Sequence, residues 1–226
     1  MRNFKAIFAV ILMAVMTLGS CSDSEKLDKI GKTEVMIKTN RGKIVIRLYD
    51  DTPEYRDNFI ALVKKGAYDG AVWHRIVPGK LIQAGTVDDN RFGGATLPSE
   101  IIYPKHFHKA GAVAAAREDD GVNPEKKSSN TQFYIVTGTV FTPASLAQLH
   151  EQLVTADTTN HPISFSDYQK KIYTTIGGTP HLDNEYTVFG EVVEGLGVVQ
   201  NLGNERVNGE KPLKRLVIES ITVTRP

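Results

Sequence analysis

The chain has 226 residues, 41% of them hydrophobic, enough to bury a sizeable core in one globular domain, although length alone would allow two. Lys and Arg number 27 against 26 Asp and Glu, a net charge of +1, and no basic run is interleaved with aromatic residues. Nucleic acid is therefore not expected as a partner.

At the start, Arg2 and Lys5 precede an apolar run from Ala6 to Leu18 that is too short to span a bilayer as a mature helix, and small residues Gly19 and Ser20 follow. Residues 1–20 read as an export signal. Cys21, the only cysteine, comes directly after, and the stretch LGSC (18–21) resembles the lipobox of bacterial lipoproteins, whose cysteine is acylated and becomes the new N-terminus. The resemblance implies a lipid anchor at Cys21 and hence a membrane as partner, with the protein exported and held at the bacterial cell envelope. The alternative is an ordinary secretory signal with an incidental cysteine. With no second cysteine to pair with, a free thiol is awkward in an oxidising compartment, which favours the anchor. Polar residues 21–33 read as a tether, and residues 34–226 as the folded domain.

Two alternating segments, Val35 to Thr39 and Lys43 to Leu48, are joined by Asn40-Arg41-Gly42, a β-hairpin signal. A helix is expected next: Thr52 is placed to cap it, Pro53 suits the first helical position, Phe59, Ile60 and Val63 recur at helical spacing, and Gly66 stops it. Further strands are expected at Val72 to Val77, Leu81 to Gln83, Ala112 to Ala116, Gln132 to Val136, Thr187 to Val193 and Leu213 to Val223, with a short helix at Leu196 to Leu202. There is no internal repeat and no βαβ alternation. Many strands with one early and one late helix predict a mainly β fold, a closed antiparallel β-barrel capped by helices.

One block breaks that pattern. From Phe141 to Ile176 the spacing turns helical, with Leu146, Leu149 and Leu153, then Tyr168, Ile172 and Ile176 ending at Gly177-Gly178. This reads as a two-helix insertion over about residues 139–178 with a polar loop at 155–162. It is either a packing embellishment, the blander reading, or a lid or partner-docking surface.

The stretches DNF (57–59), YDG (68–70), WHRIVPG (73–79), QAG (83–85), SNTQFYI (129–135), HLD (181–183) and TVFGEVVEG (187–195) stand in the order and approximate spacing of the cyclophilin family of peptidyl-prolyl cis/trans isomerases. Each is weak alone; in sequence they are specific. The resemblance covers about residues 34–137 and 179–224 and implies the cyclophilin-like barrel, prolyl isomerase activity in protein folding, no cofactor, and a monomer.

The residues argue for the same chemistry on their own. An X-Pro amide isomerises through a twisted state whose nitrogen has lost resonance with its carbonyl, against an uncatalysed barrier of about 18–20 kcal/mol. No bond breaks, so no nucleophile is needed. What helps is an apolar slot for the pyrrolidine ring, a donor aimed at the nitrogen lone pair that appears only in the twisted state, and a polar group on the neighbouring carbonyl. A guanidinium stays charged and planar, which suits Arg75 to the donor's task. Gln83, brought across by a turn at Pro78-Gly79, is placed to hydrogen-bond the peptide backbone.

Carried over by resemblance, the proline pocket falls on Leu81, Tyr134 and Leu182, with Ala116 and Arg117 along the peptide groove and Gln132 beneath it. Arg117 stands where many eukaryotic members have asparagine, Tyr186 where they have a pocket histidine, and His181 where a tryptophan helps to bind cyclosporin. Lys80 replaces a usual phenylalanine and Ala84 a usual glycine, and both are expected to weaken the pocket.

Trp73, Phe133 and Phe189 are expected in the core, and His74 as a hydrogen-bonded structural residue. His106 and His108 alternate like ligands, but no carboxylate or thiol cluster completes a site, so no metal is expected. Residues 118–127 read as a solvated loop beside the groove rather than a calcium loop. The function expected is that of a prolyl isomerase assisting the folding of exported, proline-containing polypeptides. The alternatives are a catalytically weak proline-peptide-binding chaperone or adaptor, favoured by Lys80, and a lipoprotein that uses the insertion as an assembly surface.

Overall fold

The computed structural model describes residues 32–88, 91–156 and 163–226. The segment expected to be an export signal, Cys21 expected to carry a lipid, and most of the 155–162 loop lie outside the described residues. Among the described residues no helix is long and apolar enough to cross a membrane.

Strands β1 (Glu34–Thr39) and β2 (Gly42–Leu48) form the expected hairpin, with Thr39 opposite Gly42. Gly42 has φ +135, outside the usual range of L side chains, which is why glycine ends the two-residue turn there. Helix α1 (Pro53–Lys64) follows, with Tyr55, Phe59, Leu62 and Val63 buried. Thr52 makes no side-chain cap; its hydroxyl donates to the Tyr49 carbonyl instead. The Glu100 carboxylate takes the cap's place, accepting from the Glu54 and Tyr55 N–H groups at 3.4 Å each.

The main sheet continues with β3 (Arg75–Val77), β4 (Leu81–Ala84), β6 (Ala112–Ala115), β8 (Phe133–Val136), β9 (Val188–Glu194) and β12 (Ile218–Arg225). The remaining short strands are β5 (Thr96–Leu97), paired with β7 (Ser128–Ser129), and β10 (Val207–Asn208), paired with β11 (Lys211–Pro212). The eight main strands run in the order β12-β1-β2-β9-β6-β8-β4-β3, antiparallel throughout. Helix α4 (Leu196–Gly203) packs Val199 and Leu202 into the core.

The fold is mainly β, but the barrel is not closed: the sheet is a strongly curled half-barrel with β3 and β12 as its outer strands. Gly70 to Trp73 cross Leu216 to Ile218 with a few backbone hydrogen bonds and one isolated bridge, Val72 to Val217. Beyond that crossing the edge of β3 is met by the β10–β11 hairpin, through Ile76 N–H to the Glu210 carbonyl at 2.7 Å. Pro212 in that hairpin has no N–H with which to extend a ladder. The expected strands at 72–77 and 213–223 are correspondingly shortened to β3 and β12.

Alternation on the strands sorts side chains to two faces. Ile82, Ala84, Val113, Ala115, Phe133 and Ile135 join the main core under α1 and α4. Phe133 sits at its centre, edge-on to Phe59, Tyr68 and Trp73 at centroid distances of 5.3, 5.6 and 5.8 Å. The opposite face carries Leu81, Ala112, Ala114, Tyr134 and Val136 with Leu182 and Tyr186 beside them. Ala84, expected to weaken the pocket, faces the core and does not line the groove.

The insertion forms α2 (Pro143–Ala156) and α3 (Asp167–Thr175), the latter opened by a Ser166–Gln169 capping box. They bury a small core of their own around Phe107, Leu146, Phe165 and Tyr173. Tyr168 and Ile176, expected on the packed face of α3, are exposed, and Gln169 and Tyr173 are buried instead. Docking against Phe107 and Phe165, edge-on to Tyr173 at 5.5 and 5.6 Å, sets the orientation of this short helix.

Candidate active site

Register builds the site. The turn at Pro78-Gly79 sets Arg75 opposite Gln83, Gln83 opposite Tyr134, and Tyr134 opposite Ala114, one row of side chains across β3, β4, β8 and β6. A groove of about 1070 Å³ runs over this row. All nine candidates, Arg75, Leu81, Gln83, Ala116, Arg117, Gln132, Tyr134, Leu182 and Tyr186, line it, together with Lys80, His181 and Glu210.

The groove has an apolar part and a polar part. Leu81 and Tyr134 are buried in its floor, with Val77, Ala116, Leu182 and Tyr186 packed against them. The Tyr186 ring stands edge-on to Tyr134 at 5.8 Å. Beside this slot the Arg75 Nη1 donates to Gln83 Oε1 at 3.0 Å, and Gln83 Nε2 donates to Gln132 Oε1 at 2.9 Å. Gly85 makes that chain possible. At φ +96 its Cα lies so near the 131–132 backbone that a Cβ would stand 2.2 Å from the Thr131 carbonyl oxygen.

Glu210 was not legible as a site residue. From the β10–β11 hairpin it grips Arg75 from the far side, Nε to Oε2 at 2.5 Å and Nη2 to Oε1 at 3.3 Å. The Arg75 hydrogen bonds hold the Glu210 carboxyl below its usual range. A guanidinium has five N–H groups. Three are engaged by Glu210 and Gln83, which leaves two for a bound peptide.

The other end of the groove is also anchored. The Arg117 side chain, only 4% exposed, donates to the Glu185 carbonyl at 2.8 Å, to Glu185 Oε2 at 3.0 Å and to Asp120 Oδ1 at 2.5 Å. Its guanidinium carbon lies over the Tyr186 ring at 4.6 Å. Glu118, Val122 and Asn123 of the expected 118–127 loop form a wall of the groove. Lys80 is exposed on the turn at the groove's rim. Burial, helped by the nearby charge of Lys80, pushes the His181 imidazole down to about 4, so that it is neutral above pH 5.

The remaining sequence candidates lie elsewhere. Trp73, Phe133 and Phe189 are in the core. His74 meets the Thr86 hydroxyl at 3.2 Å. His106 and His108 belong to different networks: His106 stacks on Tyr49 and bonds Asp51 Oδ1 at 2.8 Å, whereas His108 is buried beneath the groove. Among the described residues no three His, Cys, Asp or Glu side chains are grouped to hold a metal.

An apolar slot flanked by an arginine clamped by Glu210 and Gln83 is suited to rotating an X-Pro amide. The family model described as cyclophilin type peptidyl-prolyl cis-trans isomerase/CLD matches residues 34–223. Among curated proteins, the chain is 30% identical over 195 residues to one of Staphylococcus haemolyticus, covering 84% of this chain and 90% of that protein. It is 28% identical over 196 residues to one of Staphylococcus saprophyticus, covering 84% and 91%. Each is named "Putative peptidyl-prolyl cis-trans isomerase". Among solved structures, a cyclophilin type peptidyl-prolyl cis-trans isomerase of Cryptosporidium parvum superposes with a TM-score of 0.60 at 21% identity, over 86% of this chain and 98% of that one. The same protein in the presence of the dipeptide Ala-Pro gives 0.59 over 85% and 99%. These shared folds agree with the match in sequence: the chain belongs to the cyclophilin-type peptidyl-prolyl cis-trans isomerase family.

Proposed function

We propose that this protein is an exported isomerase, anchored to the cell envelope through a lipid on Cys21, that speeds proline-limited folding of exported polypeptides. The observation that carries the catalytic part is the Arg75–Gln83 pair, joined at 3.0 Å beside the Leu81, Tyr134 and Leu182 slot. In this reading the slot takes the pyrrolidine ring. One free N–H of Arg75 meets the amide nitrogen lone pair as the bond twists, an interaction absent from the planar ground state and so one that lowers the barrier. Gln83, oriented by Gln132, holds a backbone group of the peptide. Ala116, Arg117 and Tyr186 guide the chain on either side, and no cofactor takes part. The apolar segment 6–18 followed by LGSC supports the anchor and the export.

The test is refolding of a denatured, disulfide-free protein whose slow phase is an X-Pro isomerisation, which takes tens to hundreds of seconds unaided. The protein should shorten that phase in proportion to its concentration. An unchanged phase from well-folded protein would refute the reading. In cells, labelled fatty acid should enter the protein and be lost in Cys21→Ala; label retained by that variant would refute the anchor.

A second reading, peptide binding with weak turnover, is favoured by Lys80, a charge at the rim of the proline slot. Lys80→Phe separates the two. A large gain in rate over a nearly inactive parent supports the binding module, and a change within about threefold supports the enzyme.

A further inference from the structure

Resting on that reading, we propose that the helical insertion is part of the support of the active site: Tyr173 of α3 is a positioning residue that, through Asp183 and His108, fixes the Tyr134 ring in the wall of the proline slot. The four side chains form one buried line from the insertion to the groove. Tyr173 Oη donates to Asp183 Oδ2 at 2.6 Å. Asp183 Oδ1 receives the His108 backbone N–H at 2.8 Å and lies 3.1 Å from its Nδ1. His108 Nε2 lies 2.9 Å from Tyr134 Oη. Asp183 and Tyr173 are 0% exposed, His108 1% and Tyr134 2%.

Hydrogen-bond directions follow from the chemistry. The Asp183 carboxylate only accepts, which places a proton on Nδ1, and in the neutral ring the bare Nε2 then accepts from the Tyr134 hydroxyl. Burial pushes the ionisation of both tyrosines up, so each keeps its proton to donate. A phenylalanine would line an apolar slot equally well. Tyr134 instead carries a polar atom into a dry wall, where an unpartnered hydroxyl is costly, and His108 is what satisfies it. The imidazole is in turn aimed by Asp183, whose second oxygen is satisfied by the insertion alone among the described residues.

The backbone is arranged for the same purpose. Gly178, at the end of the insertion, bridges to both Lys109 and Thr139, and Thr179 N–H donates to the His108 carbonyl at 2.8 Å. A Cβ on Gly178 would stand 2.4 Å from the His108 carbonyl oxygen and 2.4 Å from the Tyr173 ring. Only glycine lets the helix of the insertion come this close to the histidine beneath the slot. The blander reading, in which the insertion merely packs, accounts for Phe165 and Leu146 but not for a hydroxyl aimed at a buried carboxylate.

The test is a double-mutant cycle in kcat/KM for an Ala-Pro peptide, run with the full chain beside thermal unfolding. Tyr173→Phe, which removes one oxygen, should lower kcat/KM about three- to tenfold. In the Tyr134→Phe background, where no hydroxyl needs holding, the same change should leave kcat/KM unaltered while still lowering the unfolding midpoint. Asp183→Asn, which keeps the side chain's shape, should show the same dependence on Tyr134 and decides the matter if Tyr173→Phe does not fold. An effect of Tyr173→Phe that is equal in both backgrounds, or a Tyr173→Phe variant with parental kcat/KM, would overturn the proposal. An inactive parent would overturn the proposed function and the coupling together, whereas an active parent indifferent to Tyr173 overturns the coupling alone.

Discussion

Strands β4, β6 and β8 serve two chemistries on their two faces. Ile82, Ala84, Val113, Ala115, Phe133 and Ile135 point into a core closed by α1 and α4, and on the opposite face Leu81, Gln83 and Tyr134 line a groove over the buried Ala114. On the first face the side chains are apolar and interchangeable within limits of volume. On the second, polar atoms are paired one by one, Arg75 with Gln83 and Glu210, Gln83 with Gln132, Tyr134 with His108. Stability and activity are therefore separable here, because a period of two assigns adjacent residues to different tasks.

The largest effect is expected on the core face. Phe133→Ala should cost about 3–5 kcal/mol of unfolding free energy, read by urea titration, because it leaves a cavity among Phe59, Tyr68 and Trp73. A cost below about 1 kcal/mol would contradict the placement of that ring. Gly85→Ala acts on both faces. Its Cβ would have to displace the Thr131–Gln132 backbone, so that Gln132 leaves Gln83. Activity should fall roughly tenfold and stability by about 1–3 kcal/mol together.

Glu210→Gln touches the groove alone. The ion pair with Arg75 is about half exposed, so loss of the anchor should lower kcat/KM by up to about fivefold at low salt, less at high salt, with little effect on the unfolding midpoint. A rise in rate would instead mean that Glu210 competes with the peptide for Arg75.

The smallest effect is on pH. His181 ionises near 4 in the folded chain against an ordinary 6.5, so the unfolded chain binds more protons between those values. Stability is thus fully present above pH 6.5 and falls as the pH drops toward 4. His74 and His106, also lowered by burial, act in the same direction. The urea midpoint should decline over that window, and His181→Gln should flatten part of the slope. A midpoint level from pH 6.5 to 4 would contradict the burial of these rings.

What was legible in the sequence was local. Arg75 and Gln83 could be paired because only a Pro-Gly turn separates them, and turn chemistry fixes register. Glu210 approaches the same arginine from 135 residues away, and nothing near it in the chain marks it. The line from Tyr173 to Tyr134 was equally hidden, since a buried Asp and His look like surface residues until the fold encloses them. Apolar spacing put Tyr168 and Ile176 on the packed face of α3, yet docking against Phe107 and Phe165 chose Gln169 and Tyr173. Alternation likewise reports which face a residue occupies and not whether the outer strands meet, which is why a closed barrel was expected and a half-barrel is found.

The most direct measurement is the rate of cis/trans exchange of an Ala-Pro peptide with the purified protein and with Arg75→Ala, each checked for its unfolding midpoint. The catalytic role of Arg75 requires that the parent accelerate exchange and that Arg75→Ala lose on the order of a hundredfold in kcat/KM with its midpoint nearly unchanged, since the side chain is half exposed. Full activity in a folded Arg75→Ala variant would contradict it.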